Sequence, residues 1–152
     1  MKVVSVNVGL PRTVQWKGKG FRSASLKPLC PVRSAYGPSR GDREADLSVH
    51  GGPDKAIYAY PAERYAYWHR ELPGMALPWG IFGENLTTEG LNEDDLKIGD
   101  RFLIGSTEVA VTQPRLPCFK LGLRLGRDDI SAPSASIHSG KKRAYQVKKK
   151  PR

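Results

Sequence analysis

One stretch of the chain, Thr112-Gln113-Pro114-Arg115-Leu116-Pro117-Cys118-Phe119-Lys120-Leu121, combines the side chains with most chemical reach. A cysteine follows two prolines and precedes a lysine, with an arginine three residues upstream. Proline fixes φ and cannot continue a helix or a central strand, so the thiol is presented from a constrained turn. Two nearby cations favour the thiolate, which is the form that ligates soft metals and attacks electrophiles. Free cysteine is also among the most buried residue types, so Cys118 reads equally as a structural thiol.

Three further clusters carry candidate chemistry. In Asp46-Leu47-Ser48-Val49-His50-Gly51-Gly52-Pro53-Asp54-Lys55-Ala56, a glycine pair lets backbone approach a ligand, flanked by His50 and Lys55. That is a donor-rich concavity for an anion, or else a tight turn with a solvated lysine. In Trp79-Gly80-Ile81-Phe82-Gly83-Glu84-Asn85-Leu86-Thr87-Thr88-Glu89-Gly90-Leu91, Asn85 and the two threonines offer neutral hydrogen-bonding groups suited to a polar heterocycle. They serve a loop's own backbone equally well. Tyr58, Tyr60, Tyr65, Tyr67, Trp68 and His69 recur at a spacing that reads as core, with His69 at the surface or internally satisfied. The chain has no glycine-rich phosphate loop, no GxSxG and no HExxH. Its only histidines are His50, His69 and His138, which argues against a multi-histidine zinc site.

Short elements must position these groups. Residues 2–8 read as a strand, and Thr13–Trp16 continues it after Gly9-Leu10-Pro11. Residues 28–46 hold three prolines and two glycines and read as loop with one short strand. Ala56–Tyr60 reads as a strand, Pro61 suits the first turn of a helix, and that helix stops near Pro73-Gly74. Arg101–Ile104 and Thr107–Thr112 read as a hairpin around Gly105-Ser106. Many short strands with one or two helices predict a mainly β, α+β domain of barrel type.

The 152 residues suffice for one domain with a core. Two cysteines are too few for a disulfide framework, no apolar run reaches a membrane span, and residues 1–8 are too short and strand-like for a signal peptide, so a cytoplasmic protein is expected. The net charge of +10 is unevenly spread: residues 1–129 carry 18 basic and 15 acidic side chains, whereas 130–152 carry seven basic and no acidic ones. The domain is therefore expected to span 1–129 and the basic Ser/Ala/Pro/Lys-rich remainder to be a disordered tail. Base-stacking aromatics are not interleaved with that tail, which argues against a nucleic-acid reader.

Taken in order, these motifs resemble the MOSC family, named for the C-terminal domain of molybdenum cofactor sulfurase, and in particular its small stand-alone bacterial members. The resemblance runs from about Asp42 to Gly126, with a weaker match at Val4 to Gly18. It is carried by Gly41-Asp42, His50-Gly51-Gly52-Pro53-Asp54-Lys55-Ala56, Tyr60-Pro61, Tyr67-Trp68, Phe82-Gly83-Glu84-Asn85-Leu86-Thr87-Thr88, Gly99-Asp100 and Thr112–Leu121. It implies a MOSC-type β-barrel and molybdenum held by a pterin dithiolene and one protein cysteine, matched here by Cys118. Arg115, Lys120 and Lys55 match positions suited to the pterin phosphate. Asn85, His50, Thr112 and Gln113 match positions suited to the pterin edge or to groups supporting it.

The resemblance implies reduction of N-hydroxylated substrates such as hydroxylaminopurines and amidoximes to amines, with His50 or Glu84 relaying a proton. Without an iron–sulfur cysteine set or a dinucleotide fingerprint, electrons are expected from a separate flavin or iron–sulfur reductase. Pyridoxal phosphate is not expected. Two segments depart from the family: about Leu26 to Arg40, including Cys30, and everything after Asp129, which reads as a frameshifted or truncated end. A chain lacking part of its barrel wall would read instead as a cofactor carrier or binding module without turnover.

Overall fold

The computed structural model describes residues 1–9, 12–23, 29–30, 57–91, 95–115, 119–127, 130 and 144–149. Among them the strands are β1 (Lys2–Asn7), β2 (Arg12–Trp16), β3 (Lys19–Ser23), β4 (Leu29–Cys30), β5 (Ile57–Pro61), β6 (Leu86–Glu89), β7 (Arg101–Ile104), β8 (Thr107–Arg115) and β9 (Ala144–Lys149). The helices are α1 (Glu63–Glu71) and α2 (Phe119–Leu125). The fold is thus mainly β with two helices, as the composition of short strands and turns predicts. A seven-stranded sheet runs in the order β4-β1-β6-β5-β9-β8-β7, and β2 with β3 forms a separate two-stranded ribbon. Among the described residues β4 and β7 end that sheet without pairing to each other.

Local chemistry explains the elements. Lys17 and Gly18 both adopt positive φ, +50° and +73°, as a two-residue turn between β2 and β3 requires. Gly105 takes φ +60° at the first loop position of the β7–β8 hairpin, whose register closes at Ile104 opposite Thr107. Pro61 ends β5, and Ala62 turns the chain into α1 by donating its N–H to the Thr88 carbonyl at 2.6 Å. Helix α1 is the crossover that lets β5 and β6 pair in parallel, with Ala59 opposite Leu86 and Pro61 opposite Thr88. Every other pairing is antiparallel.

The main core is aromatic, as the spacing of the tyrosines and Trp68 predicts. Tyr60, Tyr65, Trp68 and Phe82 are buried together with Leu72, Leu77 and Leu125. Tyr60 and Tyr65 each place a ring centroid 4.9 Å from Phe82, and Trp68 Nε1 donates to the Tyr60 hydroxyl at 2.7 Å. His69 faces solvent. A smaller cluster buries Val109 and Val111 against Phe102 and Ile104.

Two expectations change. The segment Leu86–Glu89, whose threonines read as serving either a polar heterocycle or a loop's own backbone, is strand β6. Its threonines are β-branched, Thr87 and Thr88 are fully buried, and β1 pairs with it along one side. Within the segment 130–152, expected to be a disordered tail, Ala144–Lys149 forms β9, paired to β5 on one side and β8 on the other. Net charge misled there: Ala144-Tyr145-Gln146-Val147 carries strand-forming types between two runs of cations, and backbone pairing is indifferent to flanking charge. Of the family-foreign stretch from about Leu26 to Arg40, Leu29–Cys30 forms β4 and the rest lies outside the described residues.

A strand paired on both sides cannot lose an amide donor cheaply. Val147→Pro removes one from β9, where Val147 is opposite both Ile57 and Val111. The variant should lose about 1–3 kcal/mol in chemical denaturation, whereas an unstructured tail would tolerate it.

Candidate functional site

The described residues contain one buried ionisable centre, and it is built on Glu84. The chain reaches it through Gly80 and Gly83, with φ of +85° and +87°, which let the segment between Trp79 and Leu86 fold tightly enough to aim Glu84 inward. The carboxyl is 0 % exposed. Its Oε1 accepts from the Tyr65 hydroxyl on α1, from the Gly80 N–H at 2.8 Å and from Thr87 Oγ1 at 3.0 Å. Its Oε2 is buried with no hydrogen-bond partner among the described residues.

The bonding continues outward through buried side chains. Asn7 Nδ2 donates to Thr87 Oγ1 at 3.2 Å, and Ser5 Oγ donates to Asn7 Oδ1 at 2.9 Å. The Asn7 N–H also donates to the Asn85 carbonyl at 2.7 Å, so β1 holds the chain that leaves Glu84.

Burial drives the electrostatics. Desolvation disfavours the charged carboxylate and pushes the Glu84 carboxyl above its usual range, while donation from Tyr65, Gly80 and Thr87 partly offsets this. Desolvation and the neighbouring Glu84 raise the Tyr65 hydroxyl as well, so it stays a donor. Arg124, half-buried on α2, feels Glu84 and Tyr65 as favourable partners and Arg12 as a repelling one. Desolvation dominates and lowers its pKa to about 10, which leaves it charged at neutral pH.

The residues singled out by sequence fall into distinct places. Asn85 is tied to β5: its Oδ1 accepts from the Tyr58 N–H at 3.0 Å and its N–H donates to the Tyr58 carbonyl at 2.8 Å. Tyr58 is opposite Gln146 on β9, which is opposite Gln113 on β8. Asn85 and Gln113 therefore share one row of the sheet, about 14 Å apart at three strand spacings.

Thr112 and Gln113 are half-buried at an irregularity of β8, where the register shifts between Val111 and Gln113. Arg115 is the last residue of β8, and Lys120 lies half-buried in the first turn of α2. Pro114 is tolerated in β8 because β7 pairs only as far as Ala110, leaving a partner strand on one side. Cys118, His50 and Lys55 lie outside the described residues.

A thiolate between cations, next to neutral donors and acceptors, is a donor set suited to an anionic, sulfur-rich group of soft-metal type. The β8–α2 region supplies that set from Thr112 to Lys120. The residues present thus fit the pterin-held molybdenum that the motifs imply. Sequence reading missed the hydroxyl of Tyr65 as a partner, and it missed Asn7 and Arg124. The one available signal was Arg124 itself, a cation four residues after Lys120 in the otherwise apolar run Phe119-Lys120-Leu121-Gly122-Leu123-Arg124-Leu125.

Two outcomes follow from this geometry. A Cβ on Gly80 would meet Asn7 Cγ at 2.9 Å in a backbone conformation that disfavours side chains. Gly80→Ala should therefore cost about 2–4 kcal/mol, the left-handed penalty plus overpacking, measured by urea denaturation. Because the folded carboxyl of Glu84 holds its proton more tightly than the unfolded one, its contribution to stability is complete below the ordinary carboxyl range. It is lost as pH rises through the folded value. Melting temperatures of wild type and Glu84→Gln measured across pH should shift progressively in favour of the variant as pH increases.

Residues 46–150 match the family model described as the MOSC domain. The chain is 44% identical over 128 residues to the uncharacterized protein YflK of Bacillus subtilis, covering 82% of this chain and 57% of that one. It is 37% identical over 87 residues to a protein named "Reductase" from Gibberella moniliformis, covering 55% of this chain and 15% of that one. The crystal structure of YiiM from Geobacillus stearothermophilus superposes with a TM-score of 0.70 at 32% identity, over 97% of this chain and 67% of that one. The chain thus spans only part of the curated relatives it matches. With a family model covering most of its length, the chain belongs to the MOSC family.

Proposed function

We propose that this protein is a molybdenum-cofactor-dependent oxidoreductase that reduces N-hydroxylated compounds, such as hydroxylaminopurines and amidoximes, to amines. The observation that carries the reading is the Thr112–Lys120 segment, where Cys118 stands between the end of β8 and the first turn of α2, flanked by Arg115 and Lys120. Membership of the MOSC family and similarity to a fungal protein named "Reductase" support it.

In this reading Cys118 ligates the metal, and Arg115, Lys120 and Lys55 hold the pterin phosphate. Thr112, Gln113, Asn85 and His50 hydrogen-bond the pterin edge or orient its ligands. When bound, the cofactor supplies the two-electron chemistry that side chains cannot. The overall change is R–NH–OH + 2e⁻ + 2H⁺ → R–NH₂ + H₂O. His50 or Glu84 brings a proton to the departing oxygen. A separate flavin or iron–sulfur reductase supplies the electrons. In this reading the seven-stranded sheet belongs to a MOSC-type β-barrel, and the protein works in the cytoplasm.

The test is elemental analysis of protein made in a cofactor-competent host, followed by reduction of a hydroxylaminopurine with a chemical electron donor. Wild type should carry molybdenum and turn over, and Cys118→Ala should lose both, with activity falling at least about 100-fold. Full activity in Cys118→Ala, or no metal uptake by wild type, overturns the reading. Stoichiometric pterin binding with no reduction of any N-hydroxylated compound would make the protein a carrier.

A further inference from the structure

Strand β7 ends the seven-stranded sheet, with β8 on one side and, among the described residues, no strand on the other. The hairpin fixes which of its backbone groups face that open side. The Val111 N–H donates to the Asp100 carbonyl at 2.8 Å, so residue 100 is turned toward β8. Backbone groups alternate in direction along an antiparallel strand, so Phe102 and Ile104 turn toward β8 as well. The amides and carbonyls of Arg101 and Leu103 therefore point away from the sheet.

Side chains alternate too. Leu103 lies on the outer face and is 69 % exposed, as is Ile98 in the preceding turn. Phe102 and Ile104 lie on the inner face, half-buried in a cluster whose buried members are Val109 and Val111. Edge strands are ordinarily blunted by lysine, proline or a bulge. Strand β7 has no lysine or proline, and its register with β8 is unbroken. Its one charge, Arg101, pairs with Glu108 at 3.3 Å. An open edge that is apolar on both faces is a strand that lacks a neighbour.

We propose that β7 is the contact edge of a two-fold dimer, in which β7 of a second copy of this chain pairs antiparallel to it with the two Leu103 residues opposite each other. The inference is independent of the molybdenum reading.

Register and charge select a second copy as the occupant. A closed two-fold contact brings the same patch of both copies together, so a residue on the axis must suit itself. Leu103 does, and its outward amide and carbonyl exchange two hydrogen bonds with those of its counterpart. The same register sets Phe102 of each copy opposite Ile104 of the other, which extends the thin inner cluster across the contact. Arg101 falls opposite Gly105, which has no side chain to oppose it. A slip of one residue would put the outer face of one copy beside the inner face of the other. The chain's net charge of +10 opposes self-association. Around β7, however, Asp95, Asp100 and Glu108 outnumber Lys97 and Arg101, so this corner does not share the positive charge.

The test is sedimentation velocity of the full chain over a range of concentrations. Wild type should pass from monomer to dimer as concentration rises, and added salt should strengthen the dimer by screening the net charge. Leu103→Lys and Leu103→Glu each remove the apolar contact and set like charges on the axis, so each should weaken association at least about tenfold. An equimolar mixture of the two variants should associate again, because the introduced ammonium then faces the introduced carboxylate. Ile98→Lys removes an equally exposed apolar side chain outside the strand and should change association by less than about threefold. Hydrogen exchange of wild type gives a second readout. The Arg101 and Leu103 amides should gain protection as the dimer fills, while those of Phe102 and Ile104, already turned to β8, should change little.

A chain that stays monomeric at every concentration overturns the proposal. So does association that weakens with salt, that Leu103→Lys leaves intact, that Ile98→Lys weakens equally, or that the mixed variants fail to restore. Protection of the Arg101 and Leu103 amides in the monomer would mean that another part of the chain covers this edge, and that also overturns it.

Discussion

The burial of one carboxyl group organises this molecule. An isolated charge in an apolar interior is too costly to keep, and an unpaired buried polar group costs about 1–3 kcal/mol. Glu84 escapes most of that cost because three elements converge on its Oε1: Tyr65 from α1, Thr87 from β6 and the Gly80 amide from the turn between them. Each donor is fixed by something else. Tyr65 sits in the aromatic core against Phe82 and Trp79, and Thr87 is bonded to Asn7 on β1. The carboxyl is thus a meeting point of helix, sheet and loop, and the loop conformation depends on it.

That dependence explains why much of the site was readable and where reading failed. Gly83-Glu84-Asn85 stood out as a motif, and its partners are local or set by a single crossover, so its importance followed from residue types. Its internal roles did not. Asn85 reads as serving the pterin edge or the groups that support it, and residue type alone does not show that its Oδ1 also takes the Tyr58 amide, as polar side chains next to a strand end often do. Tyr65 was rightly placed in the core, but periodicity reports which face a residue occupies and says nothing of where its hydroxyl points. Arg124 feels the charge of Glu84 across about 40 residues of sequence, a separation that no local pattern encodes.

The strands divide in the same way. The β7–β8 hairpin, α1 and β1 follow from turn residues and apolar periodicity within short windows, and the structure shows them close to where those signals fall. Strand β6 was obscured because its threonines are hydroxyl-bearing and resemble loop residues by polarity, while their β-branching suits a pleated sheet. Strand β9 was obscured by charge. Lys148 and Lys149 belong to it, and a composition count treats them as solvent-seeking even though their amides and carbonyls pair like any others.

The place of β9 in the sheet has a consequence for biogenesis. Two sub-sheets, one ending in β5 and the other in β8, meet only through this strand among the described residues, and Ile57 waits for a partner at position 147. During vectorial synthesis both edges are made before their shared neighbour is. Each then presents open amides and carbonyls to any extended segment nearby. Completion of the fold is a late insertion into a preformed gap, and the nascent chain is at its most vulnerable to off-pathway pairing just before that insertion.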